Sequence, residues 1–144
     1  MAILLTTPRL AYTLIAGSGG AYNVTDNTII YFGETRAAPP TTQNQRSFGV
    51  PRSGTIRTIS CHVGVLGTLG STETSDLSLW VNGAAENALG TIQHDQENET
   101  NVFSGLALAV TAGDYLEFEV DHPANFVTNP TTVFYDAEII IEGA

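Results

Sequence analysis

The chain has 144 residues, one domain's worth, long enough to bury an apolar core without metal or disulfide staples. Only 14% of it is charged, with a formal net charge of −10, so it repels phosphate backbones, which argues against nucleic-acid binding. No run reaches the roughly 18–20 apolar residues of a membrane span, and the start, MAILLTTPRL, lacks a basic region followed by a long apolar one. The expectation is a protein made in a cytoplasm that stays soluble until it assembles. A surface built from Thr, Ser, Asn, Gln and Gly suits strands and turns, and it suits burial against copies of the same chain, because charges are costly to desolvate.

In chain order, Leu10–Ile15 predicts a first strand, followed by Gly17-Ser18-Gly19-Gly20. Residues 28–33, TIIYFG, predict a second. Residues 34–54 read as loop, with Pro39-Pro40, a polar Gln43-Asn44-Gln45 and Ser53-Gly54 at its close. A loop of that length in a compact domain usually has a function or lies on a partner. Thr55–Leu66 alternates imperfectly, which predicts a strand bulged or buried on both faces. Gly67 to Ser75 is a small-residue loop. Asp76–Val81 alternates well, with Leu77, Leu79 and Val81 on one face and Ser78 and Trp80 on the other. Asn82-Gly83 predicts a type I′ turn. Ala88–His94 is a short strand, and Asp95–Thr100 a polar loop.

Residues 101–120 carry the strongest pattern. Leu106, Leu108 and Val110 alternate before the turn Thr111-Ala112-Gly113-Asp114. After it, Leu116, Phe118 and Val120 oppose Tyr115, Glu117 and Glu119. Period two broken by a Gly-Asp turn predicts an antiparallel pair with one face in a core. His122-Pro123 and Asn129-Pro130 are breaks. Val133–Glu142 predicts a last strand, and its run Ile139-Ile140-Ile141 suggests a central strand covered on both faces. Eight or nine strands at such spacing, with no convincing helix, predict an all-β sandwich or barrel. Residues 1–54 are looser than 55–144 and read as an N-terminal arm with first strands packed on a body, within one domain.

All five basic residues, Arg9, Arg36, Arg46, Arg52 and Arg57, are arginines in the first 57 positions. Arginine suits desolvated, bidentate contacts, so Arg9, Arg36, Arg46 and Arg52 are the candidate partner-docking residues, with an acidic body exposed beyond them. Cys61, alone in an apolar run, reads as a small buried hydrophobe and can form no intramolecular disulfide. His62, His94 and His122 lie far apart and read as structural or solvated. Should the chain be a trimer, His62 is the choice for an ion on the threefold axis. Asp95, Glu97 and Glu99, and separately Glu117, Glu119 and Asp121, offer alternating carboxylates without a calcium-loop pattern, and read as solvated acid. Ser53-Gly54 and Ser104-Gly105 lack a nucleophile frame, and Gly17-Ser18-Gly19-Gly20 lacks the lysine of a phosphate loop. No catalytic, metal or cofactor residue is expected, and the chain reads as a non-enzyme.

Residues 54–142 resemble the jelly-roll modules of the C1q/tumour-necrosis-factor-like superfamily. The matching pieces are Gly54-Thr55-Ile56, Val102-Phe103-Ser104-Gly105, Ala112-Gly113-Asp114-Tyr115-Leu116 and the terminal apolar strand. The order of Tyr31-Phe32-Gly33, Val50–Ile56, Gly67–Gly83 and Gly113–Thr132 is similar to that in small structural proteins of tailed phages, over about three quarters of the chain. That resemblance implies a jelly-roll sandwich assembled as a homotrimer in a bacteriophage virion. Its first functional implication is a head decoration, or cement, protein bound to the major capsid protein. The alternatives are the receptor-binding head of a tail fibre or spike, and a filament subunit joined by arm exchange. A departure is the lack of a collagen-like or coiled-coil stalk.

Overall fold

A computed structural model describes residues 10–18, 22–33, 43 and 46–144. Among them are nine strands and no helix: β1 (Ala11–Gly17), β2 (Ile29–Phe32), β3 (Phe48–Gly49), β4 (Gly54–Leu66), β5 (Thr74–Val81), β6 (Ala85–Gln93), β7 (Asn98–Val110), β8 (Tyr115–Asp121) and β9 (Thr132–Gly143). They form two sheets, β1-β9-β4-β7 and β2-β8-β5-β6, with the two-residue β3 beside β8 as well. All pairings are antiparallel. With β3 set aside, every connection except the β5–β6 hairpin crosses from one sheet to the other. That is the double Greek-key connectivity of a jelly roll.

The core is the shared inner face. β4 supplies Ile56, Ile59, Cys61, Val63 and Val65, and β9 supplies Val133, Tyr135, Ile139 and Ile141. Leu77, Leu79, Leu116, Phe118 and Val120 face them from the second sheet. The Phe32 ring stacks between Phe118, at 4.9 Å, and Tyr135, at 5.6 Å. Such offset ring pairs add to the burial of apolar area. Ile56 and Ile59 both point inward although three residues apart, because the register of β4 shifts between Ile56 and Thr58. The bulge accounts for the imperfect alternation of this segment. Asn82 and Gly83, at φ 55° and 63°, make the expected type I′ hairpin turn.

Two expectations are corrected. β7 and β8 do not pair with each other: β7 pairs with β4, and β8 with β5. The turn at 111–114 therefore carries the chain between sheets, since both strands need the same core but from opposite sides. β9 is central, but Ile140 is 38% exposed while Ile139 and Ile141 are fully buried, so its outer face is open. The described part of 1–54 supplies β1 to the first sheet and β2 and the short β3 to the second, and β4 begins at Gly54.

The strand directions place Ser18 and the connecting residues 22–28, 67–73, 94–97 and 122–131 at one end, the loop end. The turns 82–84 and 111–114 and the segment 46–53 lie at the other, the turn end.

Candidate functional site

Of the four candidate docking arginines, Arg9 and Arg36 lie outside the described residues. Arg52 is exposed at the turn end, beside β4. Its guanidinium carbon sits 4.7 Å from the centroid of the Tyr12 ring, and the Tyr12 hydroxyl donates to the Arg52 carbonyl. The side chain is thus held by a cation–π contact while its charge stays in water. Arg46 is not displayed: it is 5% exposed. Its backbone N–H donates to Glu117 Oε2 at 2.7 Å, so Glu117, 2% exposed, is covered rather than solvated. Arg57 pairs with Glu142 at 2.8 Å on the outer face of the first sheet.

The loop end carries Asp26, Glu73, Asp95, Glu97 and Glu99, and no described arginine, whereas at the turn end Arg52 and Arg57 lie among Glu86, Asp114 and Glu142. Burial, then the charge of Asp95, pushes the Glu99 carboxyl up.

His94 and His122 converge, which the sequence spacing did not reveal. His94 Nε2 lies 2.9 Å and His122 Nε2 2.7 Å from the Tyr135 hydroxyl, and His122 Nδ1 lies 2.5 Å from the Thr28 carbonyl. All three rings are buried. The carbonyl can only accept, so His122 carries its proton on Nδ1. Its Nε2 then accepts from the Tyr135 hydroxyl, which in turn accepts from His94 Nε2–H. His94 Nδ1 is left a bare acceptor without a partner. Burial pushes His94 down to about 3 and His122 down to about 4. The trio is a neutral polar core that ties the loop end together.

His62 lies on the outer face of the first sheet. Its Nε2 is 3.2 Å from Asn98 Oδ1 and its Nδ1 3.7 Å from Asp136 Oδ2. These side chains border a pocket of about 620 Å³ that Gly64, Phe134 and Glu97 also line. On the outer face of the second sheet, Asp76, Glu86, Glu119 and Asp121 line a depression of about 290 Å³. Burial, then its carboxylate neighbours Asp76 and Glu86, pushes Asp121 up, while Trp80 Nε1–H donates to Glu119. Among the described residues no three His, Cys, Asp or Glu side chains converge as a metal site. Burial lifts the Cys61 thiol to about 12, which keeps it protonated and inert at neutral pH.

No protein-family profile and no curated protein matches this chain. Among solved structures, a chain of the cyanophage Pam1 capsid asymmetric unit is similar at a TM-score of 0.47 and 14% identity, covering 99% of this chain and 94% of that one. The crystal structure of FLHE is similar at 0.47 and 12%, covering 92% and 96%, and that of pika GITRL at 0.35 and 14%, covering 81% and 98%. The jelly-roll connectivity rests on the strand pairing, not on these likenesses.

Proposed function

We propose that this chain is a non-enzymatic virion structural protein, a decoration protein that binds the assembled phage head as a homotrimer and stabilises it. The observation that carries this reading is where the described arginines lie. Arg52 and Arg57 sit at or near the turn end, where Glu142 pairs with Arg57 and Asp114 and Glu86 lie nearby, and the loop end carries the carboxylates of Asp26, Glu73, Asp95, Glu97 and Glu99 with no described arginine. Such a knob docks by its turn end on an acidic shell and turns its acidic end to solvent, where like charge keeps particles apart. Arg52, already held by Tyr12, loses little freedom on docking. Binding stabilises the head only insofar as it favours the assembled shell over free subunits.

The test is to add the purified protein to heads assembled without it and measure co-sedimentation and the temperature of DNA release. Wild type is expected to co-sediment and raise that temperature, and Arg52→Glu to do neither while keeping its own melting temperature. Immunogold label confined to the tail of native particles, or no effect of Arg52→Glu, would sink the decoration reading.

A further inference from the structure

The pocket on the outer face of the first sheet has a use that goes beyond head decoration. Its volume, about 620 Å³, falls within the range of small-ligand sites, which pair apolar surface with a few fixed polar groups. Its floor is glycine. A Cβ built on Gly64 would lie 3.6 Å from His62 Cε1 and 3.7 Å from Phe134 Cδ2, ordinary contact distances. Gly64 therefore leaves open a slot between an imidazole and a phenyl ring that a methyl side chain would fill without strain.

The polar wall is set in advance. His62 donates from Nε2–H to Asn98 Oδ1 at 3.2 Å, which sets the orientation of its ring, and Asp136 lies 3.7 Å from its Nδ1. Among the described residues, Asn98 Nδ2 and the Glu97 carboxylate, both in the lining, have no hydrogen-bond partner. The lining thus offers carboxylate oxygens that can each accept from a hydroxyl, one amide donor, and an apolar wall at Phe134. That set excludes other ligand classes. Two carboxylates repel an anion, no three metal-ligating side chains converge, and a purely apolar ligand would strand the polar wall unpaired.

We propose that this pocket binds one pyranose unit of a saccharide, with the ring's C–H face against Phe134 over Gly64 and its hydroxyl edge toward Asp136, Asn98 and Glu97. The proposal does not depend on where the protein sits on a particle.

The test is a glycan microarray with the full chain, followed by 15N-HSQC titration with glucose, galactose, mannose and N-acetylglucosamine. Binding is expected to at least one of the glycans tested. The amide shifts should fall at residues 62–67, 97–98 and 134–136, with millimolar affinity for a single sugar, on the order of that typical of weak ligands. Gly64→Val, which suits a strand, should fill the slot and weaken binding at least tenfold while leaving the spectrum dispersed. Asp136→Ala, on an exposed position, gives the same reading should Gly64→Val fail to fold. No binding to any glycan, shifts elsewhere, or undiminished binding in the folded variants overturns the proposal.

Discussion

His122 Nε2 lies 2.7 Å from the hydroxyl of Tyr135, thirteen residues further on, and neither side chain reaches solvent. Their hydrogen bond joins the end of β8 to β9, and His94 adds the end of β6 through the same oxygen. This is the fold's weak point in acid. An unfolded chain binds protons on both histidines below about pH 6.5. The folded chain refuses them until about 4 at His122 and about 3 at His94. Above pH 6.5 the pair is neutral in both states and contributes no pH dependence. As pH falls below that, the unfolded state takes up more protons and stability drops, until the folded pKa values are passed. Between pH 7 and pH 5 the loss is about 4 kcal/mol, or ~10 °C in Tm. Glu99, Glu119 and Asp121, whose carboxyls are pushed up by burial, act in the opposite sense at the acid end of this window. Calorimetry across pH 8 to 4 checks the prediction, and a flat Tm from 7 to 5 contradicts it.

The architecture was legible where a local pattern and the core agreed. The alternation of Leu77, Leu79 and Val81, the Asn82-Gly83 turn and the inward face of 106–120 all appear as read. Partner choice was not legible, because period two fixes which side chains face inward and says nothing of which strand lies alongside. Hence 101–120 reads as a hairpin yet divides between two sheets. The triple isoleucine misled in the same way: three apolar residues in a row look doubly buried, and one of them is open to solvent. The His94–Tyr135–His122 trio had no sequence signal, since its members meet only through crossovers between sheets. The burial of Arg46 was equally hidden, since the contact that marks its place, from its backbone N–H to the Glu117 carboxylate, spans 71 residues.

Gly54 and Gly49 tolerate substitution very unequally. A Cβ on Gly54 would run into the Glu142 carbonyl oxygen and come within 2.7 Å of Ile141 Cγ2. Backbone on a central strand cannot yield cheaply, so Gly54→Ala should cost about 3 kcal/mol through overpacking. Gly49, with nothing within 4 Å of the same built atom, should accept alanine with a change of at most about 0.5 kcal/mol. Urea unfolding of the two variants separates them. Equal midpoints would mean that β4 and β9 do not pack as described.

The isoleucine run of β9 gives a graded test of the sandwich. Ile139 and Ile141 are fully buried and Ile140 is not. Replacement of Ile139 by alanine removes core methylenes and leaves a cavity, at a cost of about 2–5 kcal/mol. Ile140→Thr removes apolar surface that water already touches and preserves the β-branch, so stability should move by no more than about 0.5 kcal/mol. Reversed magnitudes would place the wrong face of β9 in the core.

Self-association should run through the side where the sandwich is least closed. On one side, the edges meet through the Gly17–Gly33 bridge. On the other, β6 and β7 end their sheets, and Leu89, Phe103, Leu106 and Leu108 reach the core only in part. Val102, on the outer face of β7, is 61% exposed. A long edge strand with half-covered apolar residues invites another chain unless charge blocks it, and the inward positions of β7 from Phe103 to Val110 carry none. The homotrimer proposed for this protein is therefore expected to use the β6–β7 side. Sedimentation equilibrium should give three times the 15.3 kDa chain mass. Leu106→Glu, which places a carboxylate at the seam, should give a folded monomer with its strand content intact. A wild-type monomer at micromolar concentration would remove the trimer, and a trimer that survives Leu106→Glu would move its interface to another face.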